Sequence, residues 1–247
     1  MGLTITIRMA LRRMVPEAPR RALALARRGL RDRSDGTARR FAARRADSPD
    51  WPTLVELEQP IRQGPFWEGK LINLQLGSAL VDGVVIAPGQ VLSFWALVDR
   101  PDPGRGFAMG RGIRANAEQG DIGGGLCQLA GIIYELGLRS GLHIAERHPH
   151  SRDLYLTEAE RFTQLGLDAT VVWPWKDLRL ENRSAQAVAL ILAVDGLVLR
   201  ARLLAAQPVA LPRIEIERHD HADQRLVTVR RDSELVSHDS YAIGSRQ

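Results

Sequence analysis

Cysteine and long apolar runs are nearly absent from this sequence. Cys127 is the only cysteine among 247 residues, so the chain can form no internal disulfide and offers no cysteine cluster for zinc. The longest uninterrupted apolar run, residues 187–194, has eight residues, whereas a membrane-spanning helix needs about 18. With 45% hydrophobic residues, the sequence instead predicts a soluble globular protein with a core of its own.

Acidic residues are scarce in residues 1–45, which carry thirteen arginines against three carboxylates. The rest of the chain is mildly acidic, with 21 basic and 26 acidic residues. Such a basic arm can lie on anionic lipid or on nucleic acid, or it can be a solvated arginine-rich helix. Because Phe41 is its only aromatic residue and no recognition motif accompanies it, we expect no nucleic-acid partner.

The arm also lacks the apolar core of a signal peptide, since arginine recurs throughout the stretch RRALALARRGLRDR. We therefore expect no cleavable export signal and no transmembrane segment. A protein of this kind is expected in the cytoplasm or peripherally at the inner face of the membrane. Within the arm, residues 9–31 are predicted to form a helix that the glycine of RDRSDGT ends.

The sequence predicts two regions, a basic arm over residues 1–49 and a domain over residues 50–247. Prolines between residues 50 and 69 indicate a connecting segment with short extended pieces. The segment KLINLQLGSALVDG is predicted to be helical, and VVIAPGQVLSF is predicted to be strand, turn and strand. DRPDPGRGFAMGRG is predicted to be a loop.

The second half of the domain has its own periodic patterns. Residues 126–140 carry leucine and isoleucine at intervals of three and four, which predicts a helix with one core-facing stripe. LDATVVW and DLRLEN are predicted strands, and Asp195-Gly196 between β-rich flanks predicts a hairpin. The motif-rich core then spans about 70–192, followed by a β-rich part over 193–247. The pattern favours an α+β fold in which the cysteine-bearing helix packs on a mainly antiparallel sheet.

Cys127 follows a run of three glycines and falls in the first turn of the predicted helix. The unpaired N–H groups and positive dipole end of a helix start favour a thiolate over a thiol. Glycine allows unusual backbone angles and close approach of a substrate, and the helix amides with the Gln128 side chain are candidate donors to an oxyanion. A lone cysteine in a helix is also commonly an inert core residue, so both interpretations stay open. The three glycines are Gly123, Gly124 and Gly125.

Two histidines follow the helix at a spacing of two. His148 and His150 share a face if their segment is extended, and Pro149 between them is typical of a strand end. Asp168 then starts the next strand-like run. The order cysteine, histidine, aspartate is that of a nucleophile, its base and the carboxylate that orients the base, although these residue types also occur in this order by chance.

Metal and phosphate motifs are weakly represented. His219 and His221 could bind a metal together with Asp220 and Asp223, but histidines in such a polar stretch are more often solvated. GGGLCQ lacks the lysine and the serine or threonine of a phosphate-binding loop. We therefore expect neither a metal nor a cofactor.

Several ordered motifs between about residues 70 and 192 resemble the VanW family, which is named for an accessory protein of vancomycin-resistance clusters. The segment SFWALVDRPDPGRG makes the chain similar to the short members rather than to those with added cell-wall-binding domains. Many members have serine where this chain has Ala130. The motifs that carry the resemblance are APGQVLSFWALV, GGGLCQLAGIIYE, LHIAERHPHS, GLDATV and DLRLENRS.

The resemblance implies a bacterial cell-wall role connected with glycopeptide resistance. Some VanW domains have been linked to peptidoglycan cross-linking as L,D-transpeptidases that use the cysteine. In this chain the family's glycine-cysteine-glutamine motif ends at Cys127 and Gln128, and Asp168 matches the family's aspartate. The histidine motif corresponds to Glu146, Arg147, His148 and His150.

Two functions follow as expectations. In the first, the protein is a cysteine-dependent acyl transferase or amidase acting on peptidoglycan stem peptides. Cys127 would be the nucleophile, His150 or alternatively His148 the base and general acid. Asp168 would orient the base, and Arg147 would bind a substrate carboxylate. In the second, the protein is a non-enzymatic accessory or scaffold that binds a cell-wall precursor or a partner protein while its arm contacts anionic lipid.

Overall fold

The structure, a computed structural model, describes residues 16–46, 50–112, 120–153, 155 and 160–243. This part of the chain has four α-helices and mostly antiparallel sheets, with about 28% helix and 35% strand. The α+β class predicted from the sequence is therefore confirmed. Of the helices in these ranges, none combines the length and the apolar character needed to cross a membrane.

The chain separates into two compact units, residues 1–40 and residues 41–247. The described part of the first unit contains helix α1, Glu17–Ser34, and a 3₁₀ turn over Thr37–Arg40. The predicted basic helix is thus present, but it ends three residues later than expected. Its predicted start at residue 9 lies outside the described residues.

The second unit contains the remaining helices and all the described strands. Four strands form an antiparallel sheet in the order β1-β10-β9-β2, and three more form a second sheet in the order β3-β8-β6. A short β4-β5 ribbon and a C-terminal sheet in the order β11-β12-β13-β7 complete it. The elements are β1 (Thr53–Pro60), α2 (Trp67–Val81), β2 (Val84–Ile86), β3 (Val91–Ser93), α3 (Phe94–Val98), β4 (Met109–Arg111), β5 (Gly120–Ile122), α4 (Leu126–Arg139), β6 (His143–Glu146), β7 (Arg152–Asp153), β8 (Arg179–Glu181), β9 (Val188–Asp195), β10 (Val198–Ala205), β11 (Ile214–Asp220), β12 (Gln224–Arg231) and β13 (Glu234–Ile243).

Helix α4 is the centre of this unit. Twelve of its fourteen residues are buried, because it packs on α2, on strands β1 and β10 of the first sheet and on β6 of the second. Gly77 of α2 lets α4 approach closely, since a Cβ there would lie 2.8 Å from the side chain of Leu129. The predicted single apolar stripe therefore understates the burial of a helix that is enclosed on several sides.

Some local predictions hold and others need correction. The β9–β10 hairpin forms, with Asp195 paired to Val198. The segment predicted as strand, turn and strand does form β2 and β3, but each pairs in a different sheet. Residues 53–60 form the full strand β1 rather than short extended pieces, because β10 offers an edge along its whole length. Residues 167–173, predicted as a strand, make no ladder beyond one isolated bridge at Val172.

Candidate active site

The glycine hinge, residues 123–125, sets the entry into α4. Gly123 and Gly125 have φ angles of 80° and 104°, which confirms that this turn needs a backbone that other residues rarely adopt. Gly124 is required for a second reason, because a Cβ there would lie 2.3 Å from the carbonyl carbon of Gly110. The fully buried Asn73 fixes the hinge by donating a 2.9 Å hydrogen bond to the Gly124 carbonyl. The glycines thus allow chain segments to pack closely against the hinge. The sequence had suggested that they leave room for a substrate.

Cys127 is the second residue of α4 and, with Arg139 at the other end, one of the two residues of that helix that remain partly exposed. Its Sγ lies 3.6 Å from the carbonyl oxygen of Val171. The cysteine therefore lies at the edge of the core rather than sealed within it. That position is compatible with a reactive thiol at a helix start.

Two of the first three backbone N–H groups of α4 already donate hydrogen bonds, and the remaining one does not. The N–H groups of Leu126 and Gln128 donate to hinge carbonyls at 3.2 and 2.8 Å, whereas the N–H of Cys127 has no acceptor among the described residues. The Gln128 side chain was expected to help an oxyanion, but it is 2% exposed and its Nε2 donates to the Pro60 carbonyl at 3.1 Å. That expectation is wrong, because the amide is turned into the core.

His150 lies between the cysteine and an aspartate. Its Nδ1 is 2.6 Å from Oδ2 of Asp168, and its backbone N–H donates to the same oxygen at 2.8 Å. Because Nδ1 is occupied, Nε2 is the ring nitrogen left for Cys127. It is buried and makes no hydrogen bond within the usual geometric limits to any described group, while the charges of the ring and the thiol are coupled. The structure thus brings together Cys127, His150 and Asp168 in the order thiol, imidazole and carboxylate.

The second oxygen of Asp168 is held from the other side. Tyr241 donates to Oδ1 at 2.6 Å, and the Arg147 guanidinium donates to it at 3.0 Å. Arg147 also pairs with Asp239, and its side chain is only 4% exposed. The carboxylate therefore accepts hydrogen bonds at both oxygens inside a buried network.

Arg147 does not occupy the place that the sequence suggested. It was expected to bind a substrate carboxylate, but its guanidinium is buried against Asp168, Asp239 and the carbonyl of Gly166. A planar group with several donors suits such a bridging position. The expectation is corrected accordingly: Arg147 supports Asp168 from within the protein.

His148 lies apart from this arrangement. Its Nε2 is 3.0 Å from Oε1 of Glu146, and the same carboxylate oxygen accepts from the backbone N–H of Asp177. The two histidines were expected to share one face of an extended segment, but β6 ends at Glu146 and the segment beyond it is irregular. Of the two candidate bases, His150 is the one the structure places with Cys127 and Asp168.

The charges in the site are strongly coupled. Burial alone would raise the pKa of the Cys127 thiol, but the hydrogen bond and positive charge of His150 outweigh it and lower the pKa. Burial likewise opposes a charge on His150, yet Asp168 and Cys127 raise the pKa of the imidazole to about 10. The pKa of Asp168, which burial would raise, is held well below its usual range by His150 and Arg147. These directions favour a thiolate–imidazolium pair beside an ionised carboxylate over the neutral forms of the same groups.

A pocket of about 380 Å³, including space open to solvent, adjoins His150 and Asp168. Phe162 and Arg161 contribute to its walls, and Arg161 is paired with Asp153 through two 2.6 Å hydrogen bonds. The enclosed part of this space is only about 30 Å³, which is room for about one or two water molecules and well below the range of small-molecule sites.

The H-x-H pattern near the C-terminus does not form a metal site in the described residues, where no cluster of three or more suitable ligands occurs. Asp220, between the two histidines, is paired with Arg218 at 2.6 Å. His219 and Asp220 are the last residues of strand β11, His221 follows it, and the carboxylate of Asp220 is used by a neighbouring arginine.

Sequence reasoning missed the residues that support the site from a distance. Asn73, Asp239 and Tyr241 are 54 or more positions from Cys127 along the chain, and no local motif marks them. The alternation along β13 was the single available signal, because it places Asp239 and Tyr241 on one buried face. Nothing in the sequence indicates which other element that face meets.

The chain matches the family model described as VanW like protein over residues 69–204. It is 28% identical over 150 residues to Vancomycin B-type resistance protein VanW of Enterococcus faecalis (strain ATCC 700802 / V583), an alignment covering 60% of this chain and 54% of that protein. It is also 28% identical over 116 residues to Uncharacterized protein YoaR of Bacillus subtilis (strain 168), covering 47% of this chain and 36% of the relative. The chain thus spans about half or less of the length of these relatives. No solved structure matches it. Because the family model covers more than half of the residues, and its range includes the cysteine, the histidine and the aspartate of the site, the chain belongs to the VanW family.

Proposed function

We propose that this protein is a cysteine-dependent acyl transferase that acts on peptidoglycan stem peptides, in the manner of an L,D-transpeptidase. The observation that carries the proposal is the contact series Cys127, His150 and Asp168 at a partly exposed helix start. Membership in a family with a vancomycin-resistance protein supports a cell-wall substrate. An amide of a stem peptide is the bond that such a thiolate can open.

In the first half of the reaction, the Cys127 thiolate attacks the carbonyl carbon of the donor amide. A C–S bond forms and the carbonyl oxygen becomes an oxyanion, to which the free N–H of Cys127 can donate. The C–N bond then breaks as His150 gives its Nε2 proton to the departing amine. The products are a thioester on Cys127, a neutral imidazole and a free amine.

In the second half, an acceptor amine attacks the thioester carbonyl and loses a proton to His150. The C–S bond breaks, which restores the thiolate and the imidazolium and releases the new amide. With water as the acceptor, the same steps give a carboxylic acid and hydrolysis. Asp168 stays ionised throughout, holding Nδ1 and favouring the protonated ring.

The test is incubation of the purified protein with stem tetrapeptides and pentapeptides in the presence of a glycine or D-amino acid acceptor. Mass spectrometry should detect exchange of the terminal residue and a thioester adduct on Cys127. Cys127→Ala should lose both signals while keeping the thermal unfolding midpoint within a few degrees of the parent. Turnover that persists in Cys127→Ala rejects the proposal.

We also propose that helix α1 contacts anionic lipid, which would hold the protein at a membrane surface. The helix has six arginines and exposes leucines, with Leu23 51% and Leu30 70% exposed. Arginine beside exposed apolar side chains is typical of helices that lie in the headgroup region. This observation equally supports the alternative in which the protein is a membrane-associated accessory that binds a cell-wall precursor without catalysis.

Vesicle co-sedimentation tests this contact. We expect binding to vesicles containing phosphatidylglycerol, and much weaker binding to pure phosphatidylcholine, because each basic residue near an anionic surface contributes about 1 kcal/mol. Arg27→Gln with Arg28→Gln should weaken binding about tenfold or more, whereas Arg213→Gln, which removes an exposed arginine of the other unit, should not. Equal binding to both lipids excludes the electrostatic contact.

A further inference from the structure

A lysine lies against the glycine hinge on the side of the cysteine site. A Cβ added to Gly125 would lie 2.7 Å from Cγ of Lys70, so the lysine stem packs two residues before Cys127. The Lys70 ammonium is 5.7 Å from the ring centroid of Phe162. Phe162 lines the same pocket as His150 and Asp168. The ammonium therefore lies near a wall of the pocket that adjoins His150 and Asp168.

Lys70 is buried without a counter-charge. Its residue is 9% exposed, and no hydrogen bond or ion pair joins its ammonium to any residue in the described ranges. Buried lysines are ordinarily paired, because an isolated charge away from water is costly. Arg161, on the same wall, shows the usual arrangement, since Asp153 neutralises it.

Neighbouring groups add positive charge to Lys70 instead of balancing it. The pKa of Lys70 is lowered to about 8, mainly by burial and further by repulsion from Arg111 and Arg62. Arg111, at the end of β4, likewise has no carboxylate partner among the residues that the structure describes. Three cations are thus close enough to repel one another, and two of them, Lys70 and Arg111, have no carboxylate partner among the described residues.

A purely structural role explains this arrangement poorly. The stem of Lys70 fills space against Gly125 and Phe162, but an apolar side chain of equal length would do so without desolvating a charge. Retaining an unpaired cation at this place is the feature expected of a site that an anionic ligand completes. The ligand must be compact enough to reach a mostly buried ammonium.

We propose that Lys70 and Arg111 form the binding site for a free carboxylate of the acyl-donor peptide. The assignment rests on the proposed function for the choice of a peptide as the ligand. In this assignment the carboxylate belongs to the residue that directly follows the attacked amide, since the Lys70 stem packs against Gly125, two residues before Cys127. The site would then select donors that end one residue beyond the scissile bond.

The test compares two probes that differ in one group, Nα,Nε-diacetyl-L-lysyl-D-alanine and its C-terminal amide. Binding is measured by calorimetry on the full chain carrying Cys127→Ser, so that no turnover occurs. We expect the acid to bind at least tenfold more tightly than the amide. Lys70→Met should abolish this preference by weakening the acid alone, and Lys70→Arg should retain it.

Two controls keep the outcome clear. Arg213→Gln removes an exposed positive charge elsewhere and should leave the preference unchanged. Lys70→Met should also raise the thermal unfolding midpoint, since it removes an unpaired buried charge; if that variant unfolds instead, Arg111→Gln replaces it in the binding comparison. Equal affinity for acid and amide, an unchanged preference in the Lys70 and Arg111 variants, or no binding of the acid at millimolar concentration overturns the assignment.

The binding result is independent of the chemistry at the sulfur. A preference for the acid that requires Lys70, together with an unreactive Cys127 in the parent chain, would leave the carboxylate site standing and remove the proposed function. A reactive Cys127 that turns over stem peptides without any preference for the acid would leave the proposed function standing and remove the carboxylate site.

Discussion

Tyr241, in the last strand of the chain, donates a 2.6 Å hydrogen bond to Oδ1 of Asp168. His150 occupies Oδ2 of the same carboxylate, so the orientation of the imidazole depends on a residue 73 positions away from Asp168. Tyr241 and its neighbour Asp239 lie beyond the range matched by the family model. The support of the site is therefore a property of the whole second unit.

Replacing Tyr241 with phenylalanine should destabilise the protein by about 1–2 kcal/mol, because Asp168 loses one of its buried donors. The alkylation rate of Cys127 should fall less than tenfold, since the bond between His150 and Asp168 is retained. Urea unfolding and iodoacetamide kinetics measure the two effects. Ser240→Ala, a nearby exposed change in the same strand, is the control and should be nearly neutral. A loss of reactivity as large as that of Asp168→Asn would contradict the expectation that the bond between His150 and Asp168 survives without the Tyr241 hydroxyl.

His150→Gln should reduce the neutral-pH alkylation rate of Cys127 by about 10²-fold or more, because the thiolate loses its cationic partner. His148→Gln, the matched change two residues earlier, should alter the rate less than threefold, since that ring pairs with Glu146. Similar losses in both variants would show that the base is shared or misassigned.

The pH dependence of alkylation follows from the directions of the two pKa shifts. The pKa of Cys127 is lowered and that of His150 is raised to about 10, and both shifts favour the ion pair over the neutral pair. The rate should reach half of its plateau well below the ordinary thiol pKa of about 8.5, and stay flat through neutral pH. Asp168→Asn should move the midpoint upward, because the imidazolium loses its carboxylate. A parent midpoint at or above 8.5 would refute the ion pair.

Arg147→Met should lower the free energy of unfolding by about 3–5 kcal/mol, because Asp239 would be left as a buried charge without its arginine and Asp168 would lose one of its two cationic partners. Adding Asp239→Asn should recover part of that loss, and chemical denaturation of the single and double variants measures it. An Arg147 that served only to bind substrate would leave stability unchanged. Wild-type stability in Arg147→Met therefore counts against the buried network.

Local pattern was sufficient for the elements that carry the chemistry. The spacing of apolar residues predicted helix α4 to within a residue, and the glycines before Cys127 indicated the special turn. The hairpin at Asp195 was equally legible. These features depend on a few neighbouring residues, which is where propensity and turn chemistry are informative.

The partners that lie far apart along the chain could not be predicted from local pattern. Arg147 has the donor pattern of a carboxylate binder, and only the fold decides that its partners are Asp168 and Asp239. Gln128 follows the nucleophile, yet the packing of α4 turns its amide toward Pro60. The choice of His150 over His148 also depends on where β6 ends, and boundaries of strands are poorly defined by sequence.

The hydrogen bond between Asp168 and Tyr241 of β13 links the reactivity of Cys127 to the state of the C-terminal sheet. Sub-global opening of the C-terminal sheet would withdraw the Tyr241 hydroxyl and Asp239 together, so Asp168 would be held less firmly and the ion pair on the far side of the imidazole would weaken. The alkylation rate of Cys127 therefore reports whether the C-terminal sheet is closed, although that sheet contributes no reacting atom.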